Sequence, residues 1–198
     1  MRKLLCSFVV GLGLCCAHPS VATAAQDRKQ APASDPWQDA TVTHINRMPM
    51  TAHYLPFTTE SGALAQLRMD DAQRFQLNPQ TERRRSLNGV WKFKLVKSPS
   101  LALTDFFKTS YDVSGWQNIQ VPGSWELQGF DAPIYTDVTY PFEANPPLVP
   151  QDYNPVGHYV HEFTVPEEWK GMDIIMDFEG VESAFYLWIN GKRVGYSE

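Results

Sequence analysis

The chain has 198 residues, and 22 acidic against 17 basic side chains give a formal charge of −5. Apolar residues at 43% and charged residues at 20% exclude a disordered chain and allow a buried core, while the acidic balance excludes a typical nucleic-acid binder. Six Trp, eight Tyr and eleven Phe, with 15 prolines and few long helical stretches, point to a β-rich fold with irregular loops.

Residues 1–24 read as an export signal. Arg2 and Lys3 precede an apolar run from Leu4 to Cys16, and Ala22-Thr23-Ala24 supplies small residues before a cut at Ala25. The run is too short to span a bilayer permanently. A buried N-terminal strand or helix is the competing reading, disfavoured by the small-residue site and by the lack of acids before Asp27. A lipid-modified cysteine at Cys15 or Cys16 ranks second among the export readings, because no small residue precedes either one. All three cysteines lie in this signal, so the mature chain of about 174 residues has none. It also loses Arg2 and Lys3, which leaves 15 basic residues against 22 acidic ones, a charge of −7. Zinc–thiolate sites and cysteine nucleophiles are thereby excluded.

Residues 25–56 are expected to be a flexible leader and an extended arm, the arm running from Trp37 to about Pro56 without clear periodicity. The stretch 60–75 has room for a helical turn or two. Residues 57–198 are assigned to a β-sandwich whose pattern is clear from Ser86 onward. In Val90–Val96 the apolar Trp91, Phe93 and Leu95 alternate with Lys92 and Lys94, the period of a half-buried strand. Ile119–Val121 is a short strand ended by Pro122. In Gly157–Val165, His158 and His161 fall on opposite faces. Ile174, Met176 and Phe178 make another alternating set, and Ala184–Ile189 is apolar on both faces, as a central strand requires. Asn190-Gly191 predicts a two-residue hairpin turn into Lys192–Tyr196. The fold class predicted is all-β, a jelly-roll sandwich.

Residues 122–156 connect two of these strands without regular pattern, far beyond the usual loop length. Six prolines between Pro133 and Pro155 stiffen the segment, and Trp125, Phe130, Tyr135, Tyr140, Phe142 and Tyr153 demand packing partners. Aromatic and acidic side chains suit a polyhydroxylated ligand, with rings covering C–H faces and carboxylates accepting hydroxyl hydrogens. Docking on a neighbouring domain explains the same composition and is favoured on composition alone.

These segments resemble the N-terminal sugar-binding domain of glycoside hydrolase family 2, specifically its large β-galactosidases. The similarity begins at Ile45-Asn46-Arg47 and strengthens through Arg85-Ser86-Leu87-Asn88-Gly89-Val90-Trp91-Lys92-Phe93. It is densest in Val121-Pro122-Gly123-Ser124-Trp125 and in 129–141, where the Asp131-Ala132-Pro133-Ile134-Tyr135-Thr136 run is typical of β-galactosidases. It continues through 145–150, Gly180–Phe185, Asn190-Gly191 and Val194-Gly195-Tyr196-Ser197. The resemblance implies a retaining exo-glycosidase that removes terminal β-D-galactose, using two glutamates in a (β/α)₈ barrel further along the protein. It implies a divalent cation (Mg or Ca), together with Na, in the full-length enzyme. It also implies a homo-oligomer and a β-galactoside substrate, while the acidic balance and the short apolar run leave no nucleic-acid partner and no membrane span expected. No catalytic residue is assigned here: Glu126, Glu143, Glu162, Glu167, Glu168, Glu179, Glu182 and Glu198 lie outside any stretch like the family's catalytic motifs. The substrate-binding position implied by the family is Asp137, followed by Val138, on a loop that enters the barrel's active site. The family usually has asparagine there, so aspartate either alters the contact or marks a loop that has left that role. A second family contact, an aspartate after the Gly-Tyr-Ser run, would fall immediately beyond Glu198.

The chain is therefore expected to be the front of an exported, periplasmic or secreted, β-galactosidase. A stand-alone carbohydrate-binding module without hydrolytic activity is the alternative. His44 and His53 have no partners at metal-ligand spacing, and no phosphate loop, nucleophile elbow or zincin motif is present.

Overall fold

A computed structural model describes residues 2–11, 35–52, 54–68, 81–133, 145 and 148–198. The chain packs as two compact units, one made of Met1–Arg47 with Val90–Glu198 and the other of Met48–Gly89. The larger unit is a seven-stranded sheet: β1 (Arg2–Gly11), β2 (His44–Ile45), β3 (Gly89–Val96), β4 (Gln117–Val121), β5 (Val156–Val165), β6 (Ala184–Ile189) and β7 (Lys192–Ser197). Their order across the sheet is β2-β7-β6-β1-β5-β3-β4. The fold is all-β with antiparallel pairing, of the jelly-roll type that the strand pattern predicts.

Alternation forms these strands. On β3, Trp91 and Phe93 are buried and Lys94 is exposed, so one face of the strand meets the core. The first half of β5 is buried on both faces, which places aromatic clusters on either side of it. On one side Phe93 lies 4.7 Å from Tyr159 and 4.6 Å from Phe130, centroid to centroid. On the other, Phe106 meets His158 at 4.8 Å and Trp188 at 5.5 Å, edge to face. Such ring pairs add directional attraction to the area that they bury. The hairpin between β6 and β7 turns on Asn190 (φ 49°) and Gly191 (φ 79°), the positive-φ pair expected there.

One expectation meets a different outcome. Ile174, Met176 and Phe178 do not form a strand: the segment 173–178 has no ladder partner among the described residues, and Ile174 and Ile175 are exposed. Period-2 alternation marks a segment that suits a sheet, but a strand also needs a neighbour's N–H and C=O groups. At the N-terminus, Arg2–Gly11 forms β1, paired on both edges with β5 and β6. Its removal would leave β5 and β6 without the neighbour they share.

The arm is short and specific. Ile45 pairs with Tyr196, and Gly195 leaves room for the Ile45 carbonyl: a Cβ there would sit 2.9 Å from that oxygen. Asn46, at φ 56°, donates from Nδ2 to the Val194 carbonyl at 2.8 Å. Arg47 donates to Ser197 Oγ at 2.8 Å and to the Glu198 carbonyl at 3.1 Å. Thus Ile45-Asn46-Arg47 acts as a clamp on the end of β7.

In the smaller unit, α1 (Glu60–Leu67) realises the short helix expected within 60–75. Thr59 caps it by accepting from the Gly62 N–H at 3.2 Å, and Glu60 sits favourably in its first turn. Thr81 Oγ1 donates to the Pro56 carbonyl at 2.8 Å, and Arg85 donates to the Thr81 carbonyl.

Candidate functional site: the base of the long connection

The connection after β4 starts as a built structure. Gln128 mimics a strand neighbour: its Oε1 accepts from the Gln120 N–H at 2.8 Å, and its Nε2 donates to the Gln120 carbonyl at 3.0 Å. One side-chain amide therefore closes both backbone groups of an edge residue in β4. Gln128→Ala is expected to lower stability by about 1 kcal/mol, the usual net worth of such exposed bonds, read from the urea midpoint.

Trp125 anchors this turn, buried against Phe93 and the bare face of Gly157. A single turn of 3-10 helix (Glu126–Gln128) follows and ends at Gly129, whose φ of 83° is left-handed and suits glycine. The reversal delivers Phe130 onto Phe93 and brings Asp131 to the surface.

The returning limb is tied to the outgoing one. Tyr153 hydroxyl donates to Asp131 at 3.3 Å from Oδ1 and 3.4 Å from Oδ2, across 22 residues. Asp131 Oδ1 also accepts from the Ala132 N–H at 2.8 Å. Desolvation and the neighbouring Asp131 carboxylate hold the Tyr153 phenol above its ordinary range, so it keeps its proton for that bond. Asn154 N–H donates to the Lys97 carbonyl at 3.0 Å, and the chain then enters β5. Between these limbs and the end of β3 lies an open cleft of about 500 Å³. Phe93, Phe130, Tyr153 and Trp116 line it together with Asp131 and Lys97.

Asp137 and Val138, the substrate-binding positions expected from the sequence, lie outside the described residues, as do Glu143 and His53. The described glutamates are exposed, except the half-buried Glu126. Glu167 faces Lys170 at 3.6 Å in a solvated pair, and Glu198 accepts from the Tyr196 hydroxyl at 2.6 Å. His158 and His161 do sit apart, His158 within the Phe106 cluster and His161 stacked on Trp91 at 4.7 Å. Among the described residues no three His, Cys, Asp or Glu side chains converge on a point that could hold a metal ion, so these residues do not fit the implied cation. No described helix is long and apolar enough to cross a membrane. The pairing of Asp131 with Tyr153 and the cleft beside it were not legible as a site in the sequence, although both residues lay in the loop singled out for its composition.

An antiparallel β domain with an aromatic, carboxylate-bearing cleft at the root of a long connection has the layout of a small-molecule site: concave, lined by aromatic rings and with a few convergent polar groups. The sequence places it more closely: residues 84–198 match the glycosyl hydrolases family 2 sugar binding domain, and the chain belongs to that family. Its relatives include the β-galactosidase of Priestia megaterium, 49% identical over 117 residues, which cover 57% of this chain and 11% of the relative. The β-galactosidase of Psychromonas ingrahamii is 40% identical over 162 residues, 82% of this chain and 14% of the relative. That of Klebsiella pneumoniae is 41% identical over 168 residues, 84% of this chain and 15% of the relative. The chain thus spans between 11% and 15% of the length of these relatives.

Proposed function

We propose that this chain is the N-terminal part of an exported β-galactosidase that hydrolyses terminal non-reducing β-D-galactose residues in β-galactosides. The observation that carries the reading is the family match over 84–198 together with relatives named β-galactosidase that run through the arm and the long connection. The chain's own contribution is recognition. Gln128, Trp125 and the Asp131–Tyr153 bond fix the two limbs at the base of the connection whose sequence carries Asp137 and Val138. The cleaving groups are two glutamates elsewhere in the protein, a nucleophile and an acid/base about 5–5.5 Å apart in a retaining enzyme. The cation that the resemblance implies is assigned to no residue of this chain. Export is proposed through the 1–24 signal, so that β1 belongs to the precursor and leaves with the cut before Ala25, and the protein is proposed to assemble as a homo-oligomer.

The family usually has asparagine at the position of Asp137, which replaces an amide donor with an acceptor that carries a negative charge. In the full-length protein, Asp137→Asn is expected to lower KM for a chromogenic β-galactoside about three- to tenfold, the worth of one gained hydrogen bond. The chain Met1–Glu198 alone is expected to turn over none of it. Unchanged KM and kcat in the variant would remove the loop from substrate recognition, and turnover by the chain alone would overturn the placement of the catalytic glutamates elsewhere.

A further inference from the structure

We propose that the cleft at the base of the long connection is itself a carbohydrate subsite, one that holds a pyranose unit of a galactoside chain away from the bond being cleaved. The inference deepens the galactosidase reading and rests on it for the identity of the sugar. A volume of about 500 Å³ accommodates one or two hexose rings. The lining supplies what such a ring needs. Tyr153 is 41% exposed, a large solvated aromatic surface of the kind that packs on the C–H face of a pyranose. Phe130 and Phe93, packed edge to face at 4.6 Å, make a rigid apolar floor beside it.

Polar recognition comes from Asp131. Its carboxylate is oriented by the Tyr153 hydroxyl and the Ala132 N–H, and those two donors leave lone pairs on both oxygens. A carboxylate with spare lone pairs accepts from two neighbouring sugar hydroxyls at once, which a neutral side chain does less strongly. Lys97 lines the same cleft and offers donors to hydroxyl or ring oxygens. Because the Asp131–Tyr153 bond spans the two limbs, an occupied cleft also braces the root of the loop that carries Asp137.

The test is a titration of the whole chain Met1–Glu198 with lactose and with a β-linked galactose disaccharide, followed by amide resonances. Saturable millimolar binding that shifts Gly115 and Gly129, both on the cleft wall, is the expected result. Asp131→Asn and Tyr153→Ala should each weaken it about tenfold, whereas Tyr153→Phe, which keeps the ring, should weaken it less. Spectral dispersion of each variant reports its folding independently. Shifts that avoid the cleft, no saturable binding, or affinity unchanged in both Asp131→Asn and Tyr153→Ala would overturn the proposal. Galactoside hydrolysis by the full-length protein reads a different property: activity with an empty cleft would leave the proposed function standing and remove this subsite alone.

Discussion

Lowering the pH from neutral to about 4 is expected to remove about 3 kcal/mol of stability from the β domain through one side chain, His158. This imidazole is fully buried, with Phe106 and Trp116 presenting their edges to it. The Leu103 N–H donates to Nε2 at 3.0 Å, so that nitrogen carries the lone pair. Nδ1 therefore holds the proton and donates to the Lys94 carbonyl at 3.1 Å. Burial pushes the group from its ordinary 6.5 down to about 4, the Lys94 ammonium assists, and only the bond to the Lys94 carbonyl opposes them. The direction follows from proton counting. Between 6.5 and about 4 the unfolded chain binds a proton at this site and the folded chain does not, so stability falls as pH falls. The contribution is complete above 6.5 and gone below about 4, at about 1.4 kcal/mol per unit between them. Burial lowers His161 as well, which acts in the same direction. His158→Gln keeps a donor and an acceptor but cannot take a proton. Its urea midpoint should be lower at neutral pH and should fall less steeply with acid. Parallel pH profiles for the two proteins would show that another group sets the acid response.

The two histidines also mark how far residue order reaches. Alternation along 157–165 places them on opposite faces, and the structure seats one in an aromatic cluster and the other on Trp91. Strands β3 and β5 were legible from the same period-2 pattern, β6 from a run that is apolar on both faces, and β7 from the hairpin turn at Asn190-Gly191. Failure came where pattern and partner separate. The segment 173–178 alternates without a described neighbour.

At the candidate site the missed features are contacts between distant residues. Gln128 closing the edge at Gln120 needs the turn at Gly129 to be known first. Tyr153 reaching Asp131 needs both limbs of a 35-residue connection in place, and no local signal encodes that distance. Ile45-Asn46-Arg47 was noted as a motif, yet its physical role, a clamp on Val194, Ser197 and Glu198, appears only once β7 is drawn.

Gly157→Ala is expected to destabilise the domain by about 1–3 kcal/mol, although it adds a single methyl group to a strand. A Cβ at this position would lie 2.6 Å from Trp125 Cζ3 and 2.9 Å from Phe93 Cε2. Neither ring has free space to retreat into: Trp125 is 7% exposed, and Phe93, 1% exposed, packs on Phe130 and Tyr159 as well. Close-packed interiors pass such an overlap on as rotamer strain rather than absorbing it. A double-mutant cycle separates this overlap from the intrinsic effect of losing a glycine. The clashing Cζ3 and Cε3 belong to the benzo ring of the indole, which Trp125→Phe removes. In the Trp125→Phe background, Gly157→Ala should therefore cost at least about 1 kcal/mol less than in the native chain. Additivity within about 0.5 kcal/mol would show that the indole does not hold the glycine in place. Trp125 also begins the turn that delivers Phe130 and Asp131. Displacing its ring shifts both residues at the cleft, so Gly157→Ala should weaken sugar binding there even at temperatures where the domain stays folded.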